Sequence, residues 1–318
     1  IFPGLDLEVF KYGDETEWHN FHFNIPPSNS NFKNSPYYYN NKRLVHFTNL
    51  QALYSIIQGQ SLRLYNLNNL DDPREFIFAS KIFNLTDNLI TDAKENLYVS
   101  SFCEKKILGI PFASTEFNMW RLYGDLGKGI AIVFSIENDP SVWLDFHLSR
   151  VIYGSKSRYS FNKLLKTINE FNRIGSHADI DLGKLYPFHK SNLFKLENEV
   201  RLVYDQRNKR TGIQRRTIVD STHKIVFPNL IKDYSKSQQN SCNIGYLSLP
   251  ISSQDYPVSI EDSIPLLKIE EVIIGYNFIP GSSDIHENIE NACFRHLGYV
   301  PKIKQTRLAK LYWGNPKN

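Results

Sequence analysis

The sequence of 318 residues predicts an α+β fold. Short apolar runs with the period of strands dominate the chain, and only a few longer segments have helical periodicity. Strand and helix segments do not alternate regularly, as they would in a doubly wound parallel sheet. The phosphate-binding motifs G-x-x-x-x-G-K-[ST] and G-x-G-x-x-G are also absent from the sequence.

The composition is that of an ordinary globular protein, with 41% hydrophobic and 22% charged residues and a net charge of +4. We expect residues 1–42 to form an N-terminal arm and an Asn/Ser-rich linker, because residues 28–42 have the composition of a loop. Residues 43–318 are expected to form the main domain. The mildly basic charge permits a polyanionic partner without requiring one.

Cysteine and histidine usage predicts no disulfide and no metal. Cys103, Cys242 and Cys293 are scattered and odd in number, as in a cytoplasmic protein with reduced thiols. His19 and His22 are three residues apart, but the sequence provides no evident third ligand. No apolar run approaches the roughly 18 residues of a membrane span, and the opening residues do not have the pattern of a signal peptide. We therefore expect a cytoplasmic location and no membrane partner.

The main domain is predicted to begin with a strand, "RLVHFT", and a helix in "TNLQALYSIIQGQ". Thr48 and Gln51 match a capping box at the helix start, and Gly59 suits its end. "NNLDDPREF" is expected to turn, because Asp caps the backbone and Pro fixes φ. Further helices are expected in "EFNMWRLYGDLG", over most of 160–196 and near 284–297. Further strands are expected in "SLRLYNL", "NLYVSSFCE", "KGIAIVFSI", "LSRVIYG", "EEVIIGYNF" and near the C-terminus.

A strand is predicted over residues 197–205; it begins within the segment "KLENEVRLVY" (residues 195–204) and carries charge on one face. Because side chains alternate along a strand, Glu197, Glu199 and Arg201 share a face. Taken alone, the segment favours a solvated face with an ion pair between Glu199 and Arg201. The alternative is a face that lines a cleft. The opposite face is expected to pack on the core and carries Val200, Leu202 and Tyr204.

Seven short motifs follow one another along the chain: "HFT" at 46–48, "DDPREF" at 71–76, "SFCE" at 101–104, "WRLY" at 120–123, "KGIAIVF" at 128–134, "ENEVRL" at 197–202 and "EEVIIG" at 270–275. In this order they resemble a family of bacterial and phage proteins catalogued as a domain of unknown function. That family in turn resembles a divergent branch of the ADP-ribosyltransferases. The resemblance spans about residues 43–276, with two small departures: "SFCE" permutes a usual C-F-S, and Asp71 replaces a common Asn.

The resemblance implies a split, mostly antiparallel sheet with an NAD cleft between its halves, flanking helices and no metal. NAD would be consumed as a substrate. The resemblance also favours a cleft over a solvated face for the carboxylates of residues 197 and 199. The resemblance implies an early-strand histidine, an aromatic residue on a middle element and a late-strand glutamate, which here are His46, Tyr123, alone or with Trp120, and Glu199. The position of the other polar residues and the chemistry of the reaction add Glu197 to the expected catalytic residues. They also give the expected NAD-binding residues as His46, Thr48, Asp72, Trp120, Tyr123 and Arg201.

These residue types suit the chemistry. A carboxylate such as Glu199 stabilises the oxocarbenium-like ribose that forms when nicotinamide leaves, and Glu197 would activate or orient the acceptor. His46 would bond a ribose hydroxyl, and Tyr123 or Trp120 would offer a flat apolar surface to nicotinamide. Thr48 is expected mainly to cap its helix and Asp72 mainly to shape the cleft. Arg201 would either neutralise a phosphate of NAD or pair with Glu199.

The acceptor is expected to be a nucleic acid, with a protein acceptor left open. The segment "DQRNKRTGIQRR" is rich in cations that can follow phosphates. The resemblance further suggests a toxin or an antiviral effector, with an antitoxin or inhibitor protein as a partner. Two alternatives remain, a non-catalytic nucleic-acid-binding module and a metal-independent nuclease that uses His46 and Glu199. The predicted nucleic-acid-binding residues are Arg207, Lys209, Arg210, Arg215 and Arg216.

Overall fold

The structure of the protein is a computed structural model. It describes residues 5–12, 16–23, 37–69, 73–108, 114–140, 143, 145–154, 162, 165–166, 168–170, 172–173, 177–180, 182–207, 232–236, 243–251, 264–278 and 283–313. Asp72 and the basic residues Lys209, Arg210, Arg215 and Arg216 lie outside this part of the chain. None of the helices among the described residues is long and apolar enough to cross a bilayer.

The described residues form six α-helices, five short 3-10 helices and fifteen strands. The α-helices are α1 Leu50–Gly59, α2 Pro73–Phe83, α3 Asp87–Asn96, α4 Ser114–Leu122, α5 Ser283–Leu297 and α6 Leu308–Trp313. The 3-10 helices are Leu67–Asn69, Lys105–Ile107, Asp125–Gly127, Leu182–Phe188 and Asn192–Glu197. The strands are β1 Leu5–Tyr12, β2 Thr16–Phe23, β3 Arg43–Thr48, β4 Ser61–Asn66, β5 Leu97–Glu104, β6 Ile130–Ile136, β7 Phe146–Arg150, β8 Ile152–Tyr153, β9 His177–Ile180, β10 His189–Lys190, β11 Glu199–Asp205, β12 Lys232–Lys236, β13 Asn243–Pro250, β14 Leu267–Ile274 and β15 Lys302–Gln305.

One ten-stranded sheet organises the main domain. Its strand order is β12-β13-β4-β5-β3-β6-β14-β15, and β11 joins it by pairing with both β5 and β7. All of these pairings are antiparallel except that of β14 with β15. The predicted α+β class and the mostly antiparallel sheet are thus confirmed. Two smaller sheets contain β1-β2-β9 and β8-β10, so strand β2 of the N-terminal arm pairs with β9 of the body.

The large sheet divides along strand β5. One edge of β5 pairs with β11 over its whole length. The other edge pairs with β4 at Tyr98 and Val99 and with β3 at Cys103 and Glu104. Strands β3 and β4 therefore diverge on either side of Ser100–Phe102 and leave an opening in the sheet beside the middle of β5.

Helices cover both faces of this sheet. On one face, α1 and α5 bury Leu53, Ile57 and Cys293 against sheet residues such as Leu44 and Val200. On the other face, two further clusters form. One packs Met119 and Trp120 of α4 on Val45 and Val133. The other packs α2, α3 and the 3-10 helix Leu182–Phe188 on β5 and β11 through Ala79, Ala93, Leu185, Val99 and Val203. Each face of the sheet is consequently buried.

The start of α1 differs from the sequence prediction. The N-cap is Asn49, whose Oδ1 accepts a hydrogen bond from the Ala52 backbone N–H at 2.7 Å. The capping box of Thr48 and Gln51 was therefore wrong by one residue, because Thr48 still belongs to strand β3. At the other end Gly59 is the last helical residue, and Gln60 after it adopts the left-handed conformation (φ 45°).

Three other predicted elements differ in part from the structure. The segment from Pro73 is helical, because proline suits the first helical position and α2 begins there. Over 160–196, the described residues between 162 and 173 are helical, as predicted, whereas those from 177 onwards form the short strands β9 and β10 and two 3-10 helices. Strand β11 begins at Glu199, so Glu197 lies in the preceding 3-10 helix rather than on the strand.

Candidate active site

A cavity of about 250 Å³ lies where strands β3 and β4 diverge. It is enclosed by β3, β5 and β11 of the sheet, by α4, and by the segment that runs from β10 through the 3-10 helix Asn192–Glu197. The wall combines apolar side chains with a compact set of ionisable ones. The residues that line it are Val45, His46, Phe47, Ser101, Phe102, Cys103, Met119, Tyr123, Lys190, Phe194, Glu197, Glu199 and Arg201.

Glu199 and Arg201 form a buried ion pair in this wall. The pairing of β11 with β5 places them beside Cys103 and Ser101. The Arg201 guanidinium donates from Nε to Glu199 Oε1 at 2.7 Å, from Nη2 to Oε2 at 3.2 Å and from Nη1 to the Pro187 carbonyl at 2.6 Å. Only 2% of Arg201 is exposed. The solvated face favoured by the isolated segment is therefore wrong, because the layer around Pro187 covers this side of the strand.

Glu197 reaches the same cavity by a different route from the one predicted. It ends the 3-10 helix Asn192–Glu197, and Asn198 then adopts φ 45° and reverses the chain before β11. The Glu197 carboxylate accepts a hydrogen bond from the Tyr123 hydroxyl at 2.5 Å. The Cys103 thiol donates to the Glu197 carbonyl at 3.3 Å. Both predicted carboxylates thus meet in one cavity although they do not share a strand face.

Lys190 is the charged residue of this cavity that the sequence did not predict. Its ammonium lies 2.8 Å from Glu197 Oε2 and 2.6 Å from Glu199 Oε2. It comes from β10, a two-residue strand that pairs with β8, and it is buried. No local pattern signals a lysine of this kind, and the only hint is a cation a few residues before two closely spaced acids.

The two cations keep Glu199 ionised. Burial alone would raise the pKa of its carboxyl, but the charges of Arg201 and Lys190, with their hydrogen bonds, outweigh burial and lower that pKa to about 2. The four charges of Glu197, Glu199, Lys190 and Arg201 sum to zero. A buried set of this kind is stable only when each charge has partners, which the distances above provide.

His46 is a neutral imidazole at the opening of the sheet. Its Nδ1 lies 3.0 Å from the Ser101 carbonyl, which can only accept, so Nδ1 carries the proton and Nε2 is an acceptor. Burial lowers the pKa of the ring, and the bond to Ser101 opposes this only in part. The ring meets Phe102 edge-on at 5.8 Å. His46 can therefore accept a hydrogen bond from a hydroxyl group in the cavity.

The two predicted aromatic residues have different surroundings. Tyr123 is half-exposed and lines the cavity mouth. Trp120 is fully buried, donates to Glu116 Oε1 at 3.3 Å and meets Phe47 edge-on at 5.0 Å. Trp120 therefore supports the wall from behind and does not line the cavity.

Thr48 and Arg207 lie away from the four charges. Thr48 lines a second, more open depression of about 500 Å³ at the start of α1, which shares Phe47 and Tyr123 with the cavity. Arg207 is paired with Asp205 at 3.0 Å and with Asp92 at 3.4 Å. It follows the far end of β11 from Glu199, about 20 Å along the strand direction. Arg207 is the described member of the predicted nucleic-acid-binding set, and the structure does not bring it to the cavity.

Among the described residues, no group of three or more His, Cys, Asp or Glu side chains is arranged to hold a metal ion. The arrangement can instead bind a polar group between fixed charges, accept a proton at a carboxylate and accept a hydrogen bond at His46. The charged side chains are themselves buried, and electrostatic interactions are stronger where less solvent screens them.

Comparison with known proteins identifies one similarity. No curated protein and no solved structure matches the chain. The profile of a family described as "Protein of unknown function (DUF2971)" matches residues 119–202. This segment contains Tyr123, Lys190, Glu197, Glu199 and Arg201, whereas His46 precedes it. The chain is thus similar to an uncharacterised family over residues 119–202. This part of the chain supplies most of the ionisable side chains of the cavity.

Proposed function

We propose that the protein is an NAD-dependent ADP-ribosyltransferase whose cavity binds the nicotinamide and its ribose. The observation that supports this most directly is that the ionised, buried Glu199 lines the same cavity as the neutral His46, at the point where the sheet divides. A carboxylate that is held charged away from bulk water can stabilise a cationic sugar strongly, because little solvent screens it.

The proposed reaction needs only groups that line the cavity. The bond between ribose C1′ and the nicotinamide nitrogen breaks, and nicotinamide leaves with the electron pair and becomes neutral. Positive charge develops on the ribose, where Glu199 stabilises it. An acceptor atom then bonds to C1′, and its proton passes to Glu197. The Tyr123 hydroxyl, which donates to Glu197 at 2.5 Å, holds that carboxylate at the mouth where an acceptor enters.

Binding can be assigned to the remaining wall residues. The apolar side chains of Phe47, Met119 and Phe194 suit the flat nicotinamide ring. His46 Nε2 would accept a hydrogen bond from a ribose hydroxyl. The zero net charge of the four buried ions does not repel the cationic ring of NAD. Arg201 is occupied by Glu199 and Pro187, which favours the ion-pair role over a phosphate contact.

The cavity has room for only a part of the NAD molecule. Its volume of about 250 Å³ is just below the usual 300–1,000 Å³ of sites for whole small molecules. We therefore expect it to hold one end of NAD, with the rest of the dinucleotide extending past Tyr123 towards the depression beside Thr48 and Asn49.

The test is incubation of the purified protein with NAD labelled on its adenylate, with RNA, DNA or cell lysate. Release of nicotinamide that is lost in Glu199→Gln supports the proposal. Glu271→Gln is the matched control, because Glu271 is also buried and paired with two lysines, Lys105 and Lys304, but lies outside the cavity. Glu199→Gln with normal turnover would overturn the assignment.

The same assay separates the two alternatives. Cleavage of RNA without NAD would indicate a nuclease that uses His46 and Glu199. Binding of nucleic acid with no chemistry on NAD would indicate a non-catalytic module. A role as a toxin or antiviral effector, with an inhibitor protein as partner, rests on the family resemblance and stays a prediction.

A further inference from the structure

Four exposed leucines flank the mouth of the cavity. Leu122 ends α4 and Leu126 lies in the turn after it, and they are 66% and 63% exposed. Leu193 and Leu196, in the 3-10 helix Asn192–Glu197, are 87% and 55% exposed. We call these four residues the rim leucines. Leu193 and Leu196 are three residues apart in a 3-10 helix and so share a face.

The three elements that carry the rim leucines form one surface: α4 and the 3-10 helices Asp125–Gly127 and Asn192–Glu197. Helix α4 packs against the 3-10 helix Asn192–Glu197, and the hydrogen bond from Tyr123 to Glu197 joins them directly. Phe194 and Glu197 of the 3-10 helix and Tyr123 after α4 line the cavity itself. A molecule that covers the rim leucines therefore also faces the cavity that Glu197 and Glu199 line.

The backbone holds Leu126 outward in an unfavourable conformation. Asp125 and Leu126 have backbone φ angles of 48° and 53°, which residues other than glycine rarely adopt. The backbone N–H groups of Gly127 and Gly129 both donate to the Gly124 carbonyl, at 2.9 and 2.8 Å, and fix this turn. Strain of this kind is concentrated at functional sites. Here it presents a large apolar side chain to solvent, where the side chain contributes little to packing.

The charge around the rim leucines is predominantly positive. Arg121, Lys128 and Lys195 are exposed next to them in sequence, and Asp125 is the exposed acid of the same segments. Large apolar patches with a charged border are typical of protein-binding surfaces. Nucleic-acid interfaces are more polar and more strongly basic, and exposed leucines gain nothing from phosphates. A flat lipid surface would close the cavity mouth at Tyr123.

We propose that the rim leucines, with Arg121, Lys128 and Lys195, dock an acceptor protein through an apolar segment that carries acidic residues. The acceptor of the ADP-ribosyl group is then a protein side chain, and not the nucleic acid that the basic segment after β11 led us to expect. This inference rests on the proposed NAD chemistry and adds the substrate class to it.

The test compares Leu193→Ser/Leu196→Ser with Phe294→Ser, again with labelled NAD. Phe294 is 69% exposed and lies on α5, on the opposite side of the sheet, so its loss removes a similar exposed surface. We expect label on protein from the lysate, and about a tenfold loss of that transfer in the double variant, as for hot-spot residues of an interface. Release of nicotinamide without acceptor should stay the same in both variants. Lys195→Glu should also lower the transfer.

Several results would overturn the inference. Label on RNA or DNA, or equal loss of transfer in Phe294→Ser, would exclude a protein acceptor docked here. Loss of binding to anionic vesicles in the double variant would indicate a lipid surface as the partner of the rim leucines. Loss of self-association would indicate a second copy of the chain. A lower melting temperature would indicate that the leucines pack within the chain. Nicotinamide release with no label on any macromolecule would contradict this inference alone. Absence of release by the unmodified protein would instead overturn the proposed function on which it depends.

Discussion

Lys190 and Glu199 form a buried ion pair, with Nζ 2.6 Å from Oε2, and the same ammonium lies 2.8 Å from Glu197. One cation therefore joins two carboxylates that face the same cavity. Arg201 pairs with Glu199, whereas the bonds to the Glu197 carboxylate come from Lys190 and the Tyr123 hydroxyl. Lys190 is thus the residue that links the two carboxylates in the wall of the cavity.

Substituting Lys190 should move the acid limb of the activity profile to higher pH. In Lys190→Met the Glu199 carboxylate loses one of the two cations that lower its pKa, so that pKa should rise. The titratable and charged groups that surround Glu199 are Glu197, Tyr123, His46, Cys103, Tyr153 and Arg201. The measurement is nicotinamide release from pH 4 to 9, with ¹³C NMR of labelled glutamate carboxyls as a readout that does not depend on turnover.

Lys190→Arg is the control, because it retains the positive charge. It should keep the acid limb close to that of the unmodified protein even if its activity is lower. If Lys190 has only a structural role, Lys190→Met should have a lower melting temperature, while the pH profile of nicotinamide release and the NMR titration of the glutamate carboxyls stay unchanged.

Removing Arg201 alone should destabilise the protein more than removing the whole ion pair. Arg201→Met leaves Glu199 buried with one cation fewer, and breaking a buried pair costs about 3–5 kcal/mol. In Arg201→Met/Glu199→Met no carboxylate remains at residue 199, so most of that loss should be recovered while NAD turnover stays absent. Urea unfolding of the two variants measures this difference. A double variant as unstable as the single one would mean that packing of the guanidinium, and not charge, stabilises this wall.

The sequence predicted the part of the site that depends on local periodicity. Alternation along residues 199–204 correctly assigned Val200 and Leu202 to the core and paired Glu199 with Arg201. It failed at Glu197, because Asn198 takes a left-handed conformation that two-residue periodicity cannot reveal. It also missed Lys190 and the burial of the polar face. Both depend on the segment 182–197 folding back over β11, which is a tertiary contact without a local signal.

The free energy of unfolding should fall as the pH is lowered from 6.5 towards 3, because His189 binds a proton in the unfolded chain over this range and not in the folded one. Burial lowers the pKa of His189 from 6.5 to about 3, and its Nε2 lies 2.9 Å from the Tyr37 hydroxyl. Between pH 6.5 and 3 the unfolded chain binds a proton there that the folded chain does not bind. The free energy of unfolding should therefore decrease by about 1.4 kcal/mol per pH unit from this group as the pH falls.

His189→Gln isolates this contribution, because glutamine can still bond Tyr37 and does not titrate. The variant should show a shallower loss of stability between pH 6 and 4 in urea unfolding, even if it is less stable at pH 7. The same slope in both proteins would mean that His189 takes up its proton in the folded state.

Adding one methyl group to Gly275 should destabilise the turn that carries Leu126. A Cβ there would lie 2.2 Å from the Gly127 carbonyl oxygen and 3.0 Å from that of Gly129, and these backbone atoms are fixed by hydrogen bonds from Asn277 and Gly275. Gly275→Ala should cost about 1–3 kcal/mol, as over-packing does elsewhere, and should weaken transfer to a protein acceptor. Gly59→Ala is the matched control: its Cβ would meet only the Ser61 hydroxyl, at 3.4 Å. There alanine favours the end of α1 and should raise stability by about 0.5–1 kcal/mol. Thermal unfolding distinguishes the two, and a Gly275→Ala protein as stable as the original would show that the turn can shift without loss.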